Sequence, residues 1–105
     1  MTRNEYNGWY NYETWSFNLH WDDAFREDAQ MFYDASEASK SFTKAEQAAI
    51  NLSEHMRDMA QEILDQLTPK NPWVQDMISG AFSEINFHEI AKHYIEKIEA
   101  EQEAA

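Results

Sequence analysis

From Thr43 to Thr68 apolar residues recur three and four positions apart: Ala45, Ala48, Ala49, Leu52, Met56, Met59, Ala60, Ile63 and Leu67. A turn of about 100° per residue brings such positions to one face, so the pattern predicts a long helix. Thr43 with Glu46 three residues on forms a capping box at its start, and Pro69 ends it. A similar stripe of Phe25, Ala29, Phe32, Tyr33 and Ser36 predicts a helix over about Asp23 to Ser39, followed by loop residues around Lys40 to Phe42. Asn71 as cap and Pro72 at the first helical position start a further helix carrying Trp73, Met77, Ile78, Ala81 and Phe82. The last helix runs from Phe87 into the tail with Ile90, Ala91, Tyr94, Ile95 and Ile98 inward. Near the start, Asn11 caps a helix from Tyr12 to about Trp21, although Trp15, Phe17, Leu19 and Trp21 alternate strictly and also suit a short strand.

The pattern predicts an all-α fold: a single small domain of about five helices over residues 1–105, with the third helix as its spine and a short irregular or extended N-terminal segment. Two glycines and two prolines in 105 residues suit helices better than a turn-rich sheet. Residues 1–10 form an aromatic arm and residues 100–105 an acidic tail. Tyr6, Trp9, Tyr10, Tyr12 and Trp15 crowd the N-terminal region. They fit an interface anchor, or an arm that folds back to seal one end of a small core; large rings contribute so much to such a core that the second reading is preferred.

Charge changes the picture. Twenty Asp and Glu against eight Lys and Arg give a net charge of −12, which opposes binding to the phosphate backbone of nucleic acid and to anionic membranes. A charged partner would be basic. The absence of cysteine removes disulfides and thiolate zinc sites and suits a reducing cytosol. No stretch approaches the roughly 20 apolar residues of a membrane span, and the polar, aromatic N-terminus does not read as a secretory signal. The expectation is a soluble protein of the host-cell cytoplasm.

The stretch FHEIAKHY, residues 87–94, resembles the metal-binding helix of zinc hydrolases, but His88 and His93 are five apart rather than four. That rotates them roughly 140° from each other, too far to share an ion easily. Asn86 with Glu89 reads more simply as an N-cap and its reciprocal N3 glutamate. His20 and His55 stand alone. No Ser-His-Asp arrangement, glycine-rich phosphate loop or EF-hand spacing is present, and among 20 acids some pair always lies at a catalytic distance. No metal, cofactor or enzymatic activity is expected.

The acids themselves are patterned. Asp23, Glu27, Gln30, Asp34 and Glu37 follow helical spacing opposite Phe25 and Phe32, and Glu54, Asp58, Glu62 and Asp65 do so opposite Leu52, Met56 and Ile63. Asp22 to Asp65 holds 11 acids and four Lys or Arg. Like charges at this spacing cost a helix a few tenths of a kcal/mol per pair. One reading is a solvated face that maintains solubility. The other is a recognition surface of Asp23, Glu27, Asp34, Glu37, Glu54, Asp58, Glu62 and Asp65, its carboxylates about 6 Å apart along two neighbouring helices, imitating the phosphate rows of a duplex.

The segments GWYNYETWSFNLHWDD and ISGAFSEINFHEIAKHYIE resemble a family of small uncharacterised proteins from bacteriophages, plasmids and bacterial genomes. The family's early motif falls on Asn11, Tyr12, Glu13, Thr14 and Trp15, and its late motif on Ser83, Glu84, Ile85, Asn86, Phe87, Glu89, Ile90 and Ala91. The chain departs from the pattern at His20, where an aliphatic or aromatic residue is expected. The resemblance implies a mobile genetic element, and by analogy a non-enzymatic inhibitor of a host nucleic-acid-handling protein such as a restriction or CRISPR nuclease. The competing expectation is a helical accessory module that dimerises or joins an assembly through an apolar or aromatic patch. In the expected five-helix fold the two motif regions pack together.

Overall fold

The computed structural model describes residues 5–21, 23–67 and 70–104. Among these residues the chain is all-α, with helices α1 (Tyr12–His20), α2 (Arg26–Ala35), α3 (Lys44–Leu67), α4 (Pro72–Ser83) and α5 (Phe87–Ala104). The alternating segment near the start is helix, not strand: Asn11 accepts the Thr14 N–H at 2.9 Å as a cap, and the burial does not alternate, since Phe17 is buried and Leu19 is 53% exposed. The predicted box opens α3, with Glu46 N–H donating to Thr43 Oγ1 and Thr43 N–H to Glu46 Oε1. Thr68 and Pro69, its expected end, lie outside the described residues. The acidic tail is a continuation of α5 as far as Ala104.

α2 is shorter than the expected span of about Asp23 to Ser39. At its start Asp23 adopts φ +63° and Phe25 sits at the N-cap, so the chain turns before it coils. At its end Ser36 is extended, and its hydroxyl bonds back to the Phe32 carbonyl. Lys44 Nζ then binds the Ser36 carbonyl at 2.8 Å, satisfying a group the helix leaves open. Phe25 and Ser36 are both buried, but as flanks of the helix.

α2, α3 and α5 each pack on the other two, making a three-helix bundle around Phe25, Leu52, Met56, Phe87, Ile90 and Ile95. Each of these large buried side chains contributes roughly 1.5–3 kcal/mol of apolar transfer. α1 leans on α5, whereas α4 packs closely on no other helix and contains no buried residue. Its contact with the core is made by Phe82, whose ring lies 5.5 Å from that of Phe87. The molecule is correspondingly long, 50 × 32 × 27 Å with a radius of gyration of 15.3 Å, against about 13 Å for a compact globule of this length.

The N-terminal arm folds back. Tyr6 and Trp9 exchange two backbone hydrogen bonds across Asn7 and Gly8, which take φ +47° and +85°, the primed turn that Asn-Gly favours. Trp9 packs against the core edge and meets His93 in a tilted ring contact with centroids 4.5 Å apart, while Tyr6 packs on Tyr12 and Trp15.

The two motif regions meet in a buried polar clasp. Asn11 Nδ2 donates to the Glu84 carbonyl; the Thr14 hydroxyl donates to Asn11 Oδ1 and accepts from the Asn86 N–H at 2.8 Å. Asn86 caps α5 by accepting the Glu89 N–H, as expected. The Glu89 carboxylate departs from the expected reciprocal box, because it accepts from the Tyr10 N–H at 2.8 Å. The Asn86 N–H is already bound by Thr14, so the carboxylate is left to hold the arm.

Candidate partner-binding surface

All eight acids singled out from the sequence are exposed. On α3 they form a true row: Glu54, Asp58, Glu62 and Asp65 fall within roughly 80° of helix surface and about 16 Å of its length, opposite the buried Leu52, Met56 and Ala60. None of the four forms an ion pair among the described residues; Asp65 accepts a hydrogen bond from Gln61. α2 contributes less than its spacing suggested. Glu27 and Asp34 lie on its outer side, but Asp23 sits in the turn before it, bound to Arg26 at 2.7 Å, and Glu37 follows its end. Only on α3, therefore, does a full row of four acids lie within one helix.

Beside the α3 row lies the feature that the sequence reading passed over. α4 is the most apolar helix of the chain and has one charged residue, Asp76, between Pro72 and Ser83. Trp73 is nevertheless 69% exposed and Met77 57%, next to Leu67 at 74%. Two clefts, of about 320 and 350 Å3, flank the helix and share Leu64, Ile78 and Phe82 as their floor. Asp65, the last acid of the α3 row, lines the first; Tyr12, His20 and Trp21 of the α1 region line the second. The near absence of charge from Pro72 to Ser83 was the available signal, since the rest of the chain is dense in charge.

A family model described as Family of unknown function (DUF7249) matches residues 2–105. The chain belongs to this family. No curated protein and no solved structure matches it. The DUF7249 match runs through the clasp, the α3 row and α4 alike.

The remaining titratable groups of this DUF7249 chain are dispersed. His93 opens, with Trp9, Arg26 and Lys97, into a cleft of about 660 Å3 between α2 and α5 that also holds Asp23, Glu27 and Glu101. His88 opens into a different cleft, beside Phe42 and Lys92, so the two histidines do not converge. His55 is half-buried between Phe25 and Phe32 and meets Asp28 at 3.2 Å, bracing α2 on α3. His20 is exposed at the end of α1. Among the described residues no three His, Asp or Glu are arranged to hold a metal ion, and no helix is long and apolar enough to cross a membrane. Tyr33 is buried beneath Lys44, and burial, followed by the charges of Glu99, Glu103 and Asp34, pushes its phenol above the ordinary value.

Proposed function

We propose that the protein acts without catalysis, by stoichiometric binding in the host cytoplasm. Its acidic face occupies a basic surface of a nucleic-acid-handling protein, in the manner of an anti-restriction or anti-CRISPR inhibitor. The observation carrying this reading is the α3 row, four exposed carboxylates on one face of a 24-residue helix that form no ion pair among the described residues. A helix that kept such acids only as solvated surface would gain from interspersed lysines, whereas like charges at this spacing cost a few tenths of a kcal/mol per pair. The α3 acids carry the reading because Asp23 and Glu37 fall in the segments that flank α2 rather than within it. The mobile-element resemblance of the two motifs supports the same reading by analogy.

The second reading, an assembly module that docks through apolar surface, is favoured by exposed Trp73 and Met77. Salt separates the two, since groove occupancy by carboxylates weakens as ionic strength rises and apolar docking barely responds. The test is capture from host lysate at low and high salt by the wild type and by the Glu54→Lys, Asp58→Lys, Glu62→Lys, Asp65→Lys variant. We expect a nuclease or other DNA-binding protein to be retained at low salt, lost with the variant, and inhibited in its own DNA binding by the wild type. Capture of the same protein by a folded variant would refute the acidic-row mechanism.

A further inference from the structure

The turn that closes the N-terminal arm is built on the one asparagine of the chain that precedes a glycine, Asn7 before Gly8. Every other asparagine precedes a residue whose side chain crowds the following amide nitrogen, and Asn71 precedes Pro72, which has no N–H. Asn7 and Gly8 are exposed, and a side-chain carbon built on Gly8 would meet nothing within 4 Å, so the space around the pair is open. The two hydrogen bonds across the turn use Tyr6 and Trp9; they leave the Gly8 N–H and the Asn7 side-chain amide unengaged among the described residues. Asn11 is the contrast, buried, with its amide spent on Thr14 and on the Glu84 carbonyl. Two hydrogen bonds in an exposed arm open easily, and an opened turn lets Asn7 swing its side-chain carbonyl onto the Gly8 nitrogen.

We propose that Asn7 is a site of self-modification, converted to aspartate and isoaspartate by attack of the Gly8 nitrogen, with water as the co-reactant. The Gly8 nitrogen gives its proton to solvent and bonds to Asn7 Cγ. The Cγ–Nδ2 bond breaks, and Nδ2 takes up a proton and leaves as ammonia, closing a cyclic imide. Water then opens the imide. Addition at Cγ restores the main chain with an aspartate; addition at the main-chain carbonyl leaves the chain running through Cγ as isoaspartate. Nothing is oxidised or reduced. Either product adds one negative charge, and isoaspartate inserts an extra carbon into a loop whose primed turn requires two residues of ordinary length. The Tyr6–Trp9 pairing is lost with that turn, and Tyr6 is released from the Tyr12 and Trp15 rings, whose centroids lie 5.2 and 4.7 Å from its own. Trp9 stays in place, because the Tyr10 N–H beyond it is held by Glu89. The turn thus acts as a timed catch: a new chain has Tyr6 laid over α1, and an aged one has α1 uncovered.

The experiment is incubation of the full chain in mildly alkaline buffer, followed by peptide mapping, with electron-transfer fragmentation to separate isoaspartate from aspartate. The expected result is an amide-to-acid mass change at Asn7, with both products present, release of one ammonia per converted chain, and a rate that rises with pH. Gly8→Ala should slow the conversion at least tenfold, since a side chain beside the attacking nitrogen hinders it. In the isolated isoaspartate form, hydrogen exchange at the Tyr6 and Trp9 amides should accelerate at least tenfold, while exchange at the Tyr10 amide should change less than threefold. Conversion of Asn18 or Asn51 as fast as that of Asn7, or an unchanged rate in Gly8→Ala, would overturn the self-modification. Full conversion that leaves the Tyr6 and Trp9 amides protected would overturn the catch.

Discussion

Valine in place of Thr14 keeps the shape of the side chain and removes its oxygen, leaving the Asn86 N–H and one acceptor site of Asn11 without their partner in a fully buried position. An unsatisfied buried group costs about 1–3 kcal/mol, so Thr14→Val should lower the unfolding free energy measured by urea denaturation by that amount and Thr14→Ser should retain most of it. At Tyr33 the effect depends on pH. Its raised pKa means the folded chain holds the phenolic proton more tightly than the unfolded chain. That stability is complete below about pH 10 and is lost as pH rises through the folded value. Denaturation measured from neutral to alkaline pH should therefore show stability falling above about pH 10, with a shallower fall for Tyr33→Phe. Residue by residue, the caps were legible: Asn11, Thr43 and Asn71 are local signals with local effects. The use of Glu89 was not, because its partner Tyr10 is 79 residues away. The Asn7-Gly8 turn was written in the sequence as plainly as any cap, and its hairpin geometry follows from it.

Among the elements, α3 and α5 match their stripes where other helices wrap them: Ala48, Ala49, Leu52, Met56 and Ala60 on α3, and Phe87, Ile90, Ala91, Ile95 and Ile98 on α5, are buried. α2 does not, since buried Phe25 and Ser36 fit the period yet lie in the turns that enter and leave it. Periodicity reports which side chains go inward, whatever backbone brings them there. α4 shows the converse, apolar residues at helical spacing on a helix that the monomer leaves uncovered. The contrast extends to leucines on the same helix: Leu52 is fully buried and Leu67 is 74% exposed. Leu52→Ala should cost about 2–5 kcal/mol by leaving a cavity, whereas Leu67→Ala should stay within about 0.5 kcal/mol, as read from the midpoints of chemical denaturation.

For the molecule as a whole, the all-α class and the excess of acid follow from the sequence, because both are sums over many residues. The direction in which each acid points does not. Helical spacing placed two acidic rows opposite two apolar stripes, but only the α3 row lies within one helix, because Asp23 and Glu37 fall in the segments that enter and leave α2. Of the eight acids, Asp65 lines the cleft between α3 and α4. The clasp between the chain's two ends bears finally on how the protein is made. Thr14 leaves the ribosome 72 residues before Asn86, about 4–14 seconds earlier at synthesis rates of about 5–20 residues per second. Through that interval α1 has no seat and the α2–α3 pair lacks its third wall, so core side chains such as Leu52 and Met56 stand open to chaperones and proteases. Folding is thus tied to the emergence of α5.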